Sequence, residues 1–180
     1  MSLKLKVSQF LIATGLIATA MPAHALVSLG IKGGAGLASI VTVPQTLNMD
    51  YEMGMIGGLS LDVNAGLVGF VVDALFAQRK LSSDASSTLN FLHIPAQIKL
   101  SLIPALFTTA GGYYAIGLNK ENFSGMKTTD YGAVFGVGVG LNGITFEARY
   151  NLGLANVLEG GTDSNSIKTR SVDLLLGYQF

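Results

Sequence analysis

The closing stretch Ser171-Val172-Asp173-Leu174-Leu175-Leu176-Gly177-Tyr178-Gln179-Phe180 decides how this chain folds. Val172, Leu174, Leu176, Tyr178 and Phe180 alternate with Ser171, Asp173, Leu175, Gly177 and Gln179. A period of two gives a β-strand one apolar face and one mostly polar or small face. The same alternation predicts eight strands, at 28–37, 52–63, 67–77, 91–101, 106–118, 130–141, 144–155 and 171–180. On the more apolar register of these segments there is no Lys, Arg, Asp or Glu. Lys32, Glu52, Asp62, Asp73, Lys99, Asp130, Glu147, Arg149 and Asp173 all fall on the other register, among the glycines. A water-soluble barrel carries its charges outside; the inverse is what a barrel in hydrocarbon requires.

The connections carry a second, independent signal. Strands two and three are joined around Asn64-Ala65, four and five around Ile103-Pro104, and six and seven by Asn142-Gly143. Asn-Gly is the strongest two-residue hairpin signal, because both central positions of a type I′ turn need positive φ. The other four connections are longer and polar: Val41 to Asp50, Gln78 to Asn90, Asn119 to Thr129 and Asn156 to Arg170. Short and long alternate, the order of an up-and-down meander with short periplasmic turns and four long outer loops. An unpaired strand edge in hydrocarbon leaves costly unbonded N–H and C=O groups, so the eighth strand is expected to close on the first. The sequence-based fold is therefore all-β, an eight-stranded antiparallel up-and-down transmembrane β-barrel. Pro95 cannot donate to a ladder, which predicts a bulge or a locally missing bond there. Phe107, Tyr113 and Tyr114 leave the orientation of the fifth strand open.

Composition excludes several other classes. The chain has 180 residues, 49% apolar and 12% charged, with 11 basic and 11 acidic side chains, two His and no Cys. Disorder needs more charge, and nucleic-acid binding needs a basic stripe to release counterions. Without Cys there is no thiolate metal site, disulfide or thiol nucleophile, and two His do not make a multi-His site. Residues 1–25 read as a cleaved signal peptide: Lys4 and Lys6, then the apolar run Phe10 to Met21, then Ala23-His24-Ala25 as the small-x-small cleavage site. Residues 26–180 then form the barrel domain, with 9 basic against 11 acidic residues once Lys4 and Lys6 are removed.

FLHIPAQIKL (91–100), FTTAGGYYAIGL (107–118), DYGAVFGVGVGL (130–141), ITFEARYNLGLANV (144–157) and RSVDLLLGYQF (170–180) together resemble the PorT-like outer-membrane β-barrel domain family. The resemblance runs in order over nearly all of 26–180, and implies a small outer-membrane barrel with few assigned activities. Phe180, with Tyr178 two before it, looks like the signal read by the barrel assembly machinery. Leu175 stands where a glycine is often found in that signal.

The inward charges form the candidate site. An eight-stranded barrel is only wide enough for side chains to fill it, and a lone charge there is expensive. Lys32, Lys99 and Arg149 against Glu52, Asp62, Asp73, Asp130, Glu147 and Asp173 therefore predict a structural ion-pair network, or, read functionally, a proton or ion path. His93 also projects inward, beside a loop holding Ser82, Ser83, Ser86 and Ser87. It is either a hydrogen-bonded lumen histidine or the base of a hydrolase, although no nucleophile motif surrounds those serines. The glycines open no helix and so make no phosphate cradle; their expected role is space for Arg149 or Tyr113. Phe76, Tyr131, Tyr150, Tyr178 and Phe180 fit interfacial girdles. The sequence thus leads to a monomeric, non-enzymatic outer-membrane barrel with a structural or surface-interaction role. Its expected partners are outer-membrane lipid and, during insertion, the assembly machinery, with the loop partner unknown. No nucleic acid, cofactor or metal is expected. The alternatives are a narrow ion-conducting channel and, further off, a hydrolase using His93.

Overall fold

The computed structural model describes residues 26–43, 52–81, 87–103, 105–118, 128–155 and 166–180. The proposed signal peptide, with Ala23 and Ala25, lies outside the described residues. Eight strands follow in chain order: β1 (Leu26–Val43), β2 (Glu52–Ala65), β3 (Val68–Leu81), β4 (Ser87–Ile103), β5 (Leu106–Gly117), β6 (Thr129–Leu141), β7 (Ile144–Gly153) and β8 (Ser166–Gln179). Each is antiparallel to the next, and β8 pairs with β1, so the sheet closes into a barrel. Among the described residues no helix is long and apolar enough to cross a membrane.

The register fixes the barrel's shape. Ladder partners traced around the ring from Leu26 run through Asn64, Gly69, Lys99, Thr109, Gly136, Arg149 and Asp173. The path returns to β1 at Gly36, ten residues from its start. A stagger of ten over eight strands, with a rise of about 3.3 Å per residue and a spacing of about 4.8 Å, tilts the strands by about 40°.

Side chains alternate between lumen and surface as the sequence pattern requires. Leu174, Leu176 and Tyr178 are exposed while Ser171, Asp173 and Leu175 are buried. The exposed belt continues through Ile31, Leu59, Ile98, Phe135, Val137 and Phe146, each half exposed or more. On β5 the ambiguity resolves to Phe107, Thr109, Tyr113 and Ala115 inward, with Tyr114 and Ile116 outward. Glycine on β6 makes this possible: a Cβ at Gly132 would lie 2.7 Å from Tyr113 Cε1, and one at Gly138 would meet the Phe107 ring.

Two local features differ from the sequence expectation, the β2–β3 turn and the strand ends. The β2–β3 turn falls at Gly66-Leu67, two residues beyond Asn64-Ala65, because the turn needs a positive φ and Gly66 takes +68° without a Cβ penalty. At Pro95 the second of the two expected outcomes holds, a locally missing pairing and not a bulge. Register across β3–β4 stays constant from Val72↔Ala96 to Leu75↔His93, with pairing interrupted between them, while Pro95 still faces Tyr113 on β5. The register shift lies instead at Ser101/Ile103, against the β4–β5 turn. Strands β1, β3, β4 and β8 also run past their predicted outer ends, for backbone pairing continues where the apolar alternation stops. The Asn142-Gly143 turn is as expected, with φ of 53° and 83°.

Candidate functional site

Among the described residues the inward face of the barrel gathers its charges into groups at successive heights. The middle group joins three strands, β1, β3 and β7. Arg149 on β7 reaches Glu147 on the same strand through Nε (2.7 Å) and Nη2 (2.8 Å), and Asp73 on β3 through Nη2 (2.6 Å). The Glu147–Arg149 pair meets because residues two apart on a strand point the same way. Lys32 on β1 donates from Nζ to Asp73 Oδ2 and Glu147 Oε2, each at 3.3 Å. Two cations and two carboxylates make the group formally neutral, and all four side chains are at most 6% exposed. Thr109 donates to Glu147 Oε1 (3.2 Å) and receives Gln97 Nε2 (2.7 Å). Asp73 Oδ1, Gln97 Oε1 and Arg149 Nη1 have no hydrogen-bond partner among the described residues, so the group retains capacity for ordered water.

Toward the turn end a second group centres on Asp62. Its carboxylate accepts Lys99 Nζ (2.6 Å), Gln179 Nε2 (2.8 Å) and Asn64 Nδ2 (2.8 Å). The Lys99 ammonium also sits 5.0 Å from the centre of the Phe107 ring.

Toward the loop end the lumen is part apolar and part polar. Leu75 and Ala77, two and four residues beyond Asp73 on β3, pack with Ile56 and Leu175. Tyr113, Ala115 and Val134 form a second cluster, and Phe91 packs against both. Asp130 accepts Thr169 Oγ1 (2.6 Å) and the Tyr113 hydroxyl (3.1 Å). Asn151 donates to Asp173 Oδ2 (2.6 Å) and Ser171 Oγ (2.9 Å). His93 is buried, with its ring 4.7 Å from that of Tyr113 at an angle of 56°. Ser82, Ser83 and Ser86 lie outside the described residues, as do the side chains of Ser87 and Glu52.

The structure therefore joins Lys32, Asp73, Glu147 and Arg149, pairs Lys99 with Asp62, and sets Asp130 with Tyr113 and Thr169 and Asp173 with Asn151. Sequence reading missed the uncharged bridges Gln97, Thr109, Asn151, Thr169 and Gln179. The inward register was the only signal that marked Gln97, Thr109, Asn151 and Gln179, and Thr169 fell in the stretch read as a loop. Among the described residues no group of three or more His, Asp and Glu side chains is placed to hold a metal ion. Tyr178 and Phe180 end the chain on the exposed face, with ring centres 6.4 Å apart, and Phe180 N donates to Leu29 O (2.9 Å).

No protein-family model matches the chain, and no curated protein matches it by sequence. Solved structures do. Neisserial surface protein A is 13% identical, with a TM-score of 0.52 over 86% of this chain and 99% of that one. Ail, the attachment invasion locus protein of Yersinia pestis, is 13% identical, with a TM-score of 0.47 over 86% and 97% of the two chains. The outer membrane protein OprG from Pseudomonas aeruginosa is 14% identical, with a TM-score of 0.37 over 87% and 97%. At such identity the first likeness speaks to fold alone, and that fold is the closed eight-stranded barrel described above.

Proposed function

We propose that the chain is a small bacterial outer-membrane barrel with a non-enzymatic role, supporting the membrane and offering its four long connections to partners at the cell surface. The observation that carries this reading is the inversion of polarity around a closed sheet. Leu176 is 59% exposed and Phe135 52%, whereas Arg149 and Glu147 are 2% exposed. In water such a belt would be an aggregation surface; in hydrocarbon it is the solvated face. The lumen is occupied by mutually neutralising charges and by the apolar side chains around Phe91. Such a filled middle and loop end leave recognition at the cell surface to the connections.

In this reading residues 1–25 direct export and are removed, Tyr178 and Phe180 are read by the assembly machinery, and the mature barrel is a monomer in lipid. The PorT-like resemblance of the sequence points the same way. The test is an outer-membrane extract run in SDS with and without boiling. A band that shifts on heating supports the reading, and recovery in the soluble periplasm without a shift overturns it. Planar-bilayer recording separates the channel alternative: the filled lumen is expected to give no discrete steps, and reproducible unitary steps favour conduction. For the hydrolase alternative, any activity that survives His93→Ala removes that assignment.

A further inference from the structure

At the turn end the lumen opens into a cavity of about 180 Å³. Lys99, Thr145 and Gln179 line its polar part, and Ile103, Leu141 and Ile144 line its apolar part. A second void of about 10 Å³, room for one water, is lined by Lys99 and Gln179 and also by Lys32 and Glu147. The cavity thus forms a well on the turn side of the neutral four-charge group, with Lys99 and Gln179 shared between it and the second void.

The chemistry of the polar part is set by how Lys99 and Asp62 share their contacts. Asp62 is supplied by three donors, from Lys99, Gln179 and Asn64. An ammonium also has three donors, yet among the described residues Lys99 Nζ has one carboxylate contact and the face of Phe107. The carboxylate is satisfied before the ammonium is. What the well offers an incoming molecule is therefore N–H groups and positive charge, with apolar walls beside them. Its volume exceeds the roughly 150 Å³ of a cavity that takes benzene, so a body of about ring size fits.

We propose that this turn-side well binds a small organic anion, with a carboxylate or phosphate head on Lys99 Nζ and an apolar body against Ile103, Leu141 and Ile144. Leu141 and Ile144 are 71% and 54% exposed and continue the outward apolar belt. The same head-and-body chemistry can accordingly arrive as a dissolved solute or as the head of an anionic lipid. The site lies at the opposite end from the long connections and adds to the proposed surface role without depending on it.

The test uses the folded mature barrel in phosphatidylcholine nanodiscs, with 4-fluorobenzoate as probe read by fluorine NMR. Saturable binding is expected. Lys99→Gln should weaken it about tenfold or more, the effect of losing a charge-assisted hydrogen bond, and Lys99→Arg should largely retain it. Lys99→Gln leaves Asp62 without its cation, so a second variant keeps the charges intact. A Cβ at Gly140 meets Thr145 Cγ2 at 3.4 Å, Ile144 O at 3.7 Å and Phe107 Cε1 at 3.8 Å, so Gly140→Leu fits the barrel while filling the well. It should abolish binding in a protein that still shifts on heating. Equal signals from wild type, Lys99→Gln and Gly140→Leu would mean partition into lipid and would overturn the proposal, as would no binding to wild type. Given specific binding, competition when phosphatidylglycerol replaces part of the phosphatidylcholine identifies a lipid head as the occupant; no competition identifies a solute.

Discussion

Replacing Arg149 by Met should cost the barrel about 3–5 kcal/mol, the range for removing one partner of a buried ion pair. The group around it is balanced: Arg149 and Lys32 against Glu147 and Asp73, with the Arg149 side chain 1% exposed. Arg149 supplies contacts of 2.6, 2.7 and 2.8 Å, whereas Lys32 reaches the same two carboxylates at 3.3 Å. Without Arg149 one ammonium faces two carboxylates, and the group carries a formal charge of −1 in a lumen with little water. Met preserves much of the side-chain volume, so the loss is mainly electrostatic and not a cavity. Adding Glu147→Gln returns the group to Lys32 with Asp73, a neutral pair. The double variant should therefore recover part of the loss, a coupling of at least about 1 kcal/mol relative to the sum of the single changes. Reversible urea unfolding in lipid vesicles, followed by the heat-sensitive gel band, measures all three variants. A single Arg149→Met change within about 1 kcal/mol of wild type, or strictly additive losses, would refute the view that this neutral cluster holds the lumen together.

Leu174 is 49% exposed on the outward face, six residues from Phe180, which places it about 15 Å above the barrel's turn end at the tilt derived above. Leu174→Arg should cost about 2–4 kcal/mol in the same vesicle assay, as a cation near the bilayer midplane does, and a cost below about 1 kcal/mol contradicts a lipid-facing position. Gly143→Val should cost about 1–3 kcal/mol, because Gly143 holds φ +83° and a β-branched residue resists that region; an unchanged unfolding midpoint would show that the turn relaxes freely. Asp62→Asn should weaken the grip on Lys99, now 2.6 Å away, and thereby strengthen binding of 4-fluorobenzoate, read by the fluorine titration; weaker binding would reverse the assigned charge logic.

The fold was legible because hydrocarbon imposes one rule on every strand at once. Val172, Leu174 and Leu176 announce a lipid face, and the backbone's need for partners then requires closure. Strand ends were less legible. Gln78, Arg79 and Lys80 interrupt the apolar alternation, yet β3 runs on to Leu81, since ladder hydrogen bonds do not depend on side-chain polarity. The β2–β3 turn was displaced because Gly66, not Asn64, supplies the positive φ. Within the site, parity told which charges face inward, but not which would meet. Pairing depends on the ten-residue stagger, which brings Asp73 of β3 within reach of Arg149 of β7 across the lumen, and a strand-by-strand reading does not contain that number. Gln97, Thr109 and Asn151 stayed unremarked because an uncharged polar residue on an inward register reads equally well as filler.

The most direct test of the central claim is a nitroxide scan along β8, residues 171 to 178, in the barrel reconstituted in lipid. The chain has no cysteine of its own, so each introduced cysteine carries the only label. Inverted polarity predicts oxygen collision rates that alternate with period two, high at 172, 174, 176 and 178 and low at 171, 173, 175 and 177, with little access for a polar nickel reagent at the high positions. A flat profile, or free access of the polar reagent at 174 and 176, would contradict the lipid-facing assignment and return the chain to a barrel in water.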